Sequence, residues 1–544
     1  MKLVKSLLLG SAAGLCAAAG AQAADLPMRK AAPVEYVRVC TAYGAGFFYI
    51  PGTDTCLRVG GRARFDFQFS EQNSRNTSTS GFFSLGRLNI DARTQTPYGS
   101  LRAFVRFDIA SRNGTPFIKS GTQERFANSF FGTGPDTFSQ AQKFVNVDKA
   151  FVQFAGITAG RAQSFYDFYA GDLEFIGASV ASNANTNLLA YTATFGGGFS
   201  ATASMEDPTF RRTPVFYQSV IGAINPVAGG TPAAQQNGLN FITGGVPVAF
   251  VGSGFNAAGV PVSAFALDTT QRLYMPDFVG AIRYDAAWGS AQVSGAVHEI
   301  RVGTYSNVPG ALAAFPVNGG GAAATTILPR IPSAEYGFAI QGGLKLNVPQ
   351  LAPGDQLWLQ VAYADGANAY TGVHGPSGAE SLTGAITNRF NITQVDAALD
   401  RFGRVRTTES YSGVIGFLHY WTPEIRQGVF ATHGQVIYDG ILRSAFGPAG
   451  GVAAGVTPQR NPFDPTLKSY GITYVGSNLI WSPVRDLDIG VEIIYERIDP
   501  RGRVADANKG GAAGPAGTVL VGGTGRTTQT DDNVLARFRV QRDF

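Results

Sequence analysis

Hydrophobic and polar residues take turns along much of this chain. In "LRVGGRARFDFQF", residues 57–69, one row is Val59, Gly61, Ala63, Phe65, Phe67 and Phe69, and the other is Arg58, Gly60, Arg62, Arg64, Asp66 and Gln68. A period of two belongs to a β-strand with an apolar and a polar face. "GRLNIDARTQ" sets Leu88, Ile90 and Ala92 against Arg87, Asn89, Asp91 and Arg93. "SLRAFVRFDIA" sets Leu101, Ala103, Val105, Phe107 and Ile109 opposite Arg102, Phe104, Arg106 and Asp108. The pattern predicts further strands at 144–155, 157–165, 187–196, 199–207, 275–286, 289–300, 334–346, 355–365, 411–421, 424–435, 469–481, 486–496 and 531–544, sixteen in all. In 157–165 and 424–435 polar residues stand on both faces.

The connections sort by parity. Those after even strands are short, among them "TPYG", "AAWG", "WTPE" and "WSPVRD". Those after odd strands are mostly long: 110–143, 166–186, 208–274, 301–333, 366–410, 436–468 and 497–530, with 70–83 the shortest. A secreted β-sandwich has no reason to sort its loops this way. A closed antiparallel barrel in an outer membrane does, with short periplasmic turns at one rim and long external loops at the other. The predicted fold is therefore all-β, a 16-stranded antiparallel transmembrane β-barrel. The last segment, "NVLARFRVQRDF", must then pair with the first, since open edges are not tolerated in lipid. Its Arg537 and Arg539 face the channel, and Phe544 sits at the periplasmic rim. Arg542 stands on the apolar row, close enough to the rim for its charge to reach the headgroups.

Composition sharpens this picture. Charged residues make up 15% of the chain and aromatics 12%, with 69 Gly, against about 25% charged in ordinary soluble domains. No run of 18 apolar residues follows the first two dozen positions, so a membrane-spanning helix is not expected. Those first positions read as a signal peptide, residues 1–23: Lys2 and Lys5, an apolar stretch, then Ala21-Gln22-Ala23 before the cut. Its loss takes the net charge from +5 to +3, too little to suggest a nucleic-acid partner. Cys40 and Cys56 remain, close enough in sequence for a small disulfide loop in an oxidising compartment. Residues 24–56 are expected to form a periplasmic N-terminal segment and 57–544 the barrel, with no room for a plug domain ahead of it.

The polar rows hold the candidate chemistry. At this strand number a barrel encloses a water channel, so Arg58, Arg62, Arg64, Arg102, Arg106 and Arg161, with Asp66, Asp91, Asp108 and Asp148, would line or approach it. Opposed rows of fixed charge orient polar solutes and tune ion preference; the alternative is that these charges only satisfy one another within the wall. The connection after the fifth strand carries Asp167, Asp172 and Glu174. Folded inward it would set these acids against the arginines, and as an ordinary external loop it would not; pattern alone does not choose. His298, His374, His419 and His433 are scattered without metal spacing, and no nucleophile or nucleotide motif accompanies them. Neither an enzyme nor a metal or cofactor site is expected.

"VEYVRVCTAYGAGFFYIPGTDTCLRVGG" at 34–61 resembles the mature start of the general porins of alphaproteobacteria, the family of the Brucella and Rhizobium outer-membrane porins. "GRAQSFYDFY", "SMEDP", "DFVGAIRYDAAWGSAQVSGAVHEI", "HYWTPEIRQ" and "NLIWSPVRDLDIGVEIIY" are similar to that family's blocks from end to end. The resemblance implies a homotrimer in the outer membrane, among lipid and lipopolysaccharide. It also implies a third external loop folded inward, and passive diffusion of ions and small hydrophilic solutes. By position the constriction acids would lie between Asp167 and Glu174, facing cations among Arg62, Arg64, Arg102, Arg106 and Arg161. The terminal Phe544 resembles the signal that outer-membrane barrels present to their assembly machinery. Regions 208–274 and 436–530 look long for the family, which keeps a solute-selective channel as the alternative and a barrel enzyme as a remote one.

Overall fold

A computed structural model describes residues 38–71, 78–112, 142–175, 180–209, 211–212, 215, 240–242, 246–255, 261–268, 271–303, 333–373, 395–399, 404–440, 442, 467–505, 511–513, 519–521 and 527–544. The predicted signal peptide and His374 lie outside the described residues. The chain divides into two compact units, Met1–Arg58 and Val59–Phe544. In the first, a Cys40–Cys56 disulfide, with Cα atoms 5.9 Å apart, closes over the buried Phe47. Phe48 and Tyr49 pair with Leu57 and Cys56 there.

Sixteen long strands build the barrel: β1 (Cys56–Ser70), β2 (Ser80–Thr96), β3 (Gly99–Arg112), β4 (Gln142–Phe154), β5 (Ile157–Gln163), β6 (Asn185–Gly196), β7 (Phe199–Glu206) and β8 (Asp277–Ala286). There follow β9 (Gly289–Ile300), β10 (Glu335–Asn347), β11 (Gln356–Asp365), β12 (Glu409–Thr422), β13 (Ile425–Ile437), β14 (Tyr470–Val484), β15 (Leu487–Pro500) and β16 (Asp531–Asp543). Each pairs antiparallel with its sequence neighbours, and β16 closes on β1 from Arg62↔Asp543 to Ser70↔Leu535. Phe544 completes the seam, exchanging backbone hydrogen bonds with Gly61 at 2.9 and 3.0 Å. The two segments with polar residues on both faces are strands as well, β5 and β13. Closure explains why, since a barrel strand needs partners on both sides more than it needs a clean apolar face.

The alternation is realised as an outer and an inner wall. On β1, Phe65, Phe67 and Phe69 are exposed while Arg64, Asp66, Gln68 and Ser70 are buried inside. Exposed aromatics form two girdles. Tyr98, Phe195, Phe199, Trp288, Trp421 and Trp481 lie toward the short-turn rim, and Phe82, Tyr336, Phe338, Tyr363, Tyr411 and Tyr495 toward the other. Aliphatic residues such as Leu88, Ile282, Val293, Ile340, Ile415 and Val491 are exposed between them. Aromatic belts flanking an apolar band are the outer surface of a barrel in a bilayer.

Connections after even strands are two-residue turns except 348–355, and those after odd strands are long. The long ones show little periodicity in the sequence. They nonetheless contain local antiparallel pieces: Val246–Phe255 between Asn240–Ile242 and Pro261–Asp268, Ala397–Leu399 with Val405–Thr407, and Gly511–Ala513 with Val519–Val521. The three-residue pieces are too short to leave a readable period. Around the long-connection rim, Val215, Val302, Val373, Val395, Leu399, Leu442 and Leu467 pack with the ends of β13–β15 into an apolar core.

Candidate functional site

Between β5 and β6, residues 164–175 and 180–184 fold into the barrel and lie along its inner wall. The entry is pinned where Ser164 N donates to Ala184 O and Ser164 Oγ to Glu206 Oε2 at 2.6 Å. Gln292 Nε2 on β9 then reaches the carbonyls of Phe165, Tyr166 and Asp167 at 3.2–3.3 Å, and Ser294 and Gln341 donate to Tyr166 O. Tyr169 N donates to Gln360 Oε1 on β11, and Asn478 Nδ2 on β14 donates to Leu173 O. Phe175 N donates to Glu492 Oε2 on β15, and Arg537 and Arg539 of β16 both donate to Phe175 O. On the return, Val180 N meets Thr432 Oγ1 on β13. Glycines on the wall admit the loop's rings. A Cβ on Gly343 would stand 2.2 Å from the Phe168 ring, and one on Gly490 2.7 Å from Phe175.

The loop therefore covers the inner wall from β9 to β16 and leaves β2–β4. There Asp91 is gripped by Arg93 and by Arg102, whose Nη1 also reaches Gln153. Arg87 holds Asp108 through both carboxylate oxygens, at 2.7 and 2.9 Å. Arg106 bonds Asn89 and Asp148. Phe104 stacks on Phe151 between Arg102 and Arg106, which lie 5.1 and 5.6 Å from its ring centre. Bidentate carboxylate pairs and aromatic stacking hold guanidinium groups in fixed orientation. About a quarter of each of the Arg93, Arg102 and Arg106 side chains stays accessible (27, 27 and 25%).

The predicted site residues separate into groups. Arg102, Arg106 and Asp108 stand on the uncovered wall. Arg62 pairs with Asp543 near the seam. Arg64 and Asp66 are buried with Arg537 and Arg539 behind Phe175, with Arg539 Nε 2.7 Å from Asp66. Arg58 belongs to the first unit and lies beside Gly46. Arg161 is a correction. It pairs with Ala150 and Asn187, on the row that continues to the exposed Leu189 and Tyr191, and its Nε donates to Val147 O. Register sets it outside the lumen, because the neighbouring Gly160 and Ala162 take the inner row.

The loop acids do not form one row facing the arginines. Asp167 is buried, accepting from Ser182 Oγ and Ala184 N and pairing with Arg211. Glu174 accepts from Tyr169 Oη at 2.7 Å. Burial pushes its carboxyl up to about 8, and the nearby Glu492 adds to the rise. Asp172 is exposed, within the field of Lys345 and Lys149.

Lys149 was not among the sequence candidates. A bulge between Arg106 and Phe107 of β3 and Lys149 and Val147 of β4 brings both Asp148 and Lys149 to the inner face. The signal was present: the outward apolar row runs Val145, Val147, Ala150, Val152, slipping by one at the bulge. Of the histidines, His298 contacts Asp277, His419 Asp355 and His433 Thr473, all structural contacts. Among the described residues no three His, Cys, Asp or Glu side chains group as a metal site.

Comparison with known proteins places this geometry. A family model described as the porin subfamily matches residues 25–518. Porin Omp2b of Brucella suis is 34% identical over 298 residues, covering 53% of this chain and 64% of that protein. Porin Omp2b of Brucella abortus (strain 2308) is 32% identical over 295 residues, with the same coverage. The chain thus spans less than two thirds of the length of these curated relatives. The outer membrane channel DcaP of Acinetobacter baumannii, at 12% identity, aligns over 91% of this chain and 99% of its own, with a TM-score of 0.48. With the family model matching well over half of the chain, the chain belongs to the porin subfamily and is an outer-membrane β-barrel protein.

Proposed function

We propose that this chain is a passive diffusion channel for ions and small hydrophilic solutes, of the general-porin branch found in alphaproteobacteria. The observation that carries the reading is the inward loop. It is bonded to β9–β16 and leaves solvent access along the charged wall of β2–β4. Such a loop limits the size of what passes, and the wall opposite sets its charge preference. On that wall Arg87, Arg93, Arg102, Arg106 and Lys149 outnumber Asp91, Asp108 and Asp148, which favours anions weakly.

A homotrimer fits the outer surface. A cavity of about 1050 Å³ crosses β16 and β1–β4, lined by Ala63, Ser84, Gly86, Phe65, Ile109 and Arg542 among others. Small residues on a lipid-facing wall suit close contact with another copy. Residues 1–23 as an export signal and Phe544 as an assembly signal complete the proposal. A solute-selective channel remains the second reading, favoured by the buried contacts that the long connections make with the inward loop.

Planar-bilayer recording of the purified protein in a salt gradient tests the main reading. Open-channel current with a reversal potential of weak anion preference is expected, together with a sharp size limit for sugars in liposome swelling. A clear cation preference overturns the charge assignment, and no conductance overturns the channel. Native mass spectrometry of the same preparation reads the assembly, for which three chains are expected.

A further inference from the structure

The inward loop is held by the barrel wall and also by a residue from a different external connection. Directly after β7, Asp207 Oδ1 accepts from Thr209 N and Oγ1, and Pro208 O accepts from both Arg211 N and Arg212 N. This tight turn aims two adjacent arginines differently. Arg212 donates to the carbonyls of Arg272 and Met275, tying its own connection together just ahead of β8. Arg211 points into the protein, its side chain 4% exposed.

There it meets three segments. Its Nη1 donates to Ser182 Oγ at 2.9 Å, and its Nη2 lies 3.6 Å from Asp167 Oδ1; both partners belong to the inward loop, one at each end. Its guanidinium lies 4.0 Å from the ring centre of Tyr370, in the β11–β12 connection. Tyr370 is fixed in turn, its hydroxyl donating to Asp277 at 2.6 Å and its ring meeting Tyr166 edge-on. Arginine suits this position because one planar group can pair with a carboxylate, donate to a hydroxyl and stack on a ring together. Removing it would strand a buried carboxylate, which costs far more than losing a surface contact.

We propose that Arg211 is a positioning residue that latches the two ends of the inward loop together and to the neighbouring connections. The aperture is then held by the β7–β8 connection as well as by the wall. This rests on the channel reading for its consequence, while the latch itself is a property of the loop and is measurable without conduction.

The test compares full-length wild type, Arg211→Ala, Arg211→Lys and the double variant Arg211→Ala/Asp167→Asn, each first checked for a folded barrel. Hydrogen exchange is read at the loop amides of Tyr169, Phe175 and Val180, and single-channel current and the sugar size limit are read alongside. Arg211→Ala is expected to speed loop exchange at least tenfold with strand amides unchanged, to add open-channel fluctuations, and to raise the size limit. Arg211→Lys should fall between it and wild type, because it keeps the charge without the fork and the stack. The double variant should recover part of the protection, because Asp167 no longer leaves a buried charge facing the missing guanidinium. Wild-type exchange in folded Arg211→Ala, or in Arg211→Lys if the alanine variant does not fold, overturns the latch. A silent wild type with the exchange pattern as expected overturns only the channel reading.

Discussion

The inner wall is built twice, in two chemistries. From β9 to β16 the side chains that meet the loop are mostly short or neutral: Gln292, Ser294, Gln341, Gln360, Thr432 and Asn478, with Gly343 and Gly490 leaving room for rings. From β2 to β4 they are long and charged, stacked on Phe104 and Phe151. Both stretches obey the same alternation. The difference teaches that inward-facing is not the same as pore-facing. Amide and hydroxyl groups can be buried at little cost once they satisfy backbone carbonyls, so they make a bed for the loop. Paired guanidinium groups retain accessible faces and hold their geometry in water. The exception on the covered side is instructive. Arg64, Arg537 and Arg539 are buried around Asp66, and the last two also donate to the Phe175 carbonyl.

Filling the bed should break the contrast most. Gly343→Leu places a side chain where the Phe168 ring lies, and overpacking of this kind costs about 1–3 kcal/mol. The expected result is a displaced loop, with clearly larger single-channel conductance and a higher sugar size limit. Conductance equal to wild type would show that the loop does not narrow the path.

On the other wall, Arg102→Ala/Arg106→Ala leaves Arg87, Arg93 and Lys149 against three aspartates. The reversal potential should move to near zero selectivity, with the size limit little changed. An unaltered reversal potential would place the conducted ions away from this wall.

The smallest effect is one of pH at the loop itself. Glu174 has its carboxyl raised from the usual 4.5 to about 8 by burial. Its protonated form therefore stabilises the docked loop, fully so below pH 4.5, and that contribution is lost as pH rises through about 8. Loop amide protection, taken relative to the intrinsic exchange rate at each pH, should fall across this window in wild type and stay flat in Glu174→Gln. The same slope in both would assign the effect to another group.

Much of this was legible in the sequence because its cause is local. Alternation in "GRARFDFQF" or "LDIGVEIIY" states which residues meet lipid, and connection length by parity states how strands are ordered, since adjacent antiparallel strands need only short turns on one rim. Arg102 and Arg106 could be placed inside on that ground alone. Arg161 could not, because one strand's phase relative to its neighbours depends on a bulge in β4 and on pairing with β6. Arg211 could not be found at all, since its partners Ser182 and Tyr370 are remote in the chain and no periodicity links them.

The sequence by itself determined the strands, the faces of those with clean alternation and the order in which they close, because hydrophobic burial and backbone hydrogen bonding act at a period of two. Only the tertiary structure decided which inner residues face water and which lie under the loop. That division depends on where a segment between β5 and β6 finds donors on strands more than a hundred residues away, and the chain encodes those donors as polar residues like any others.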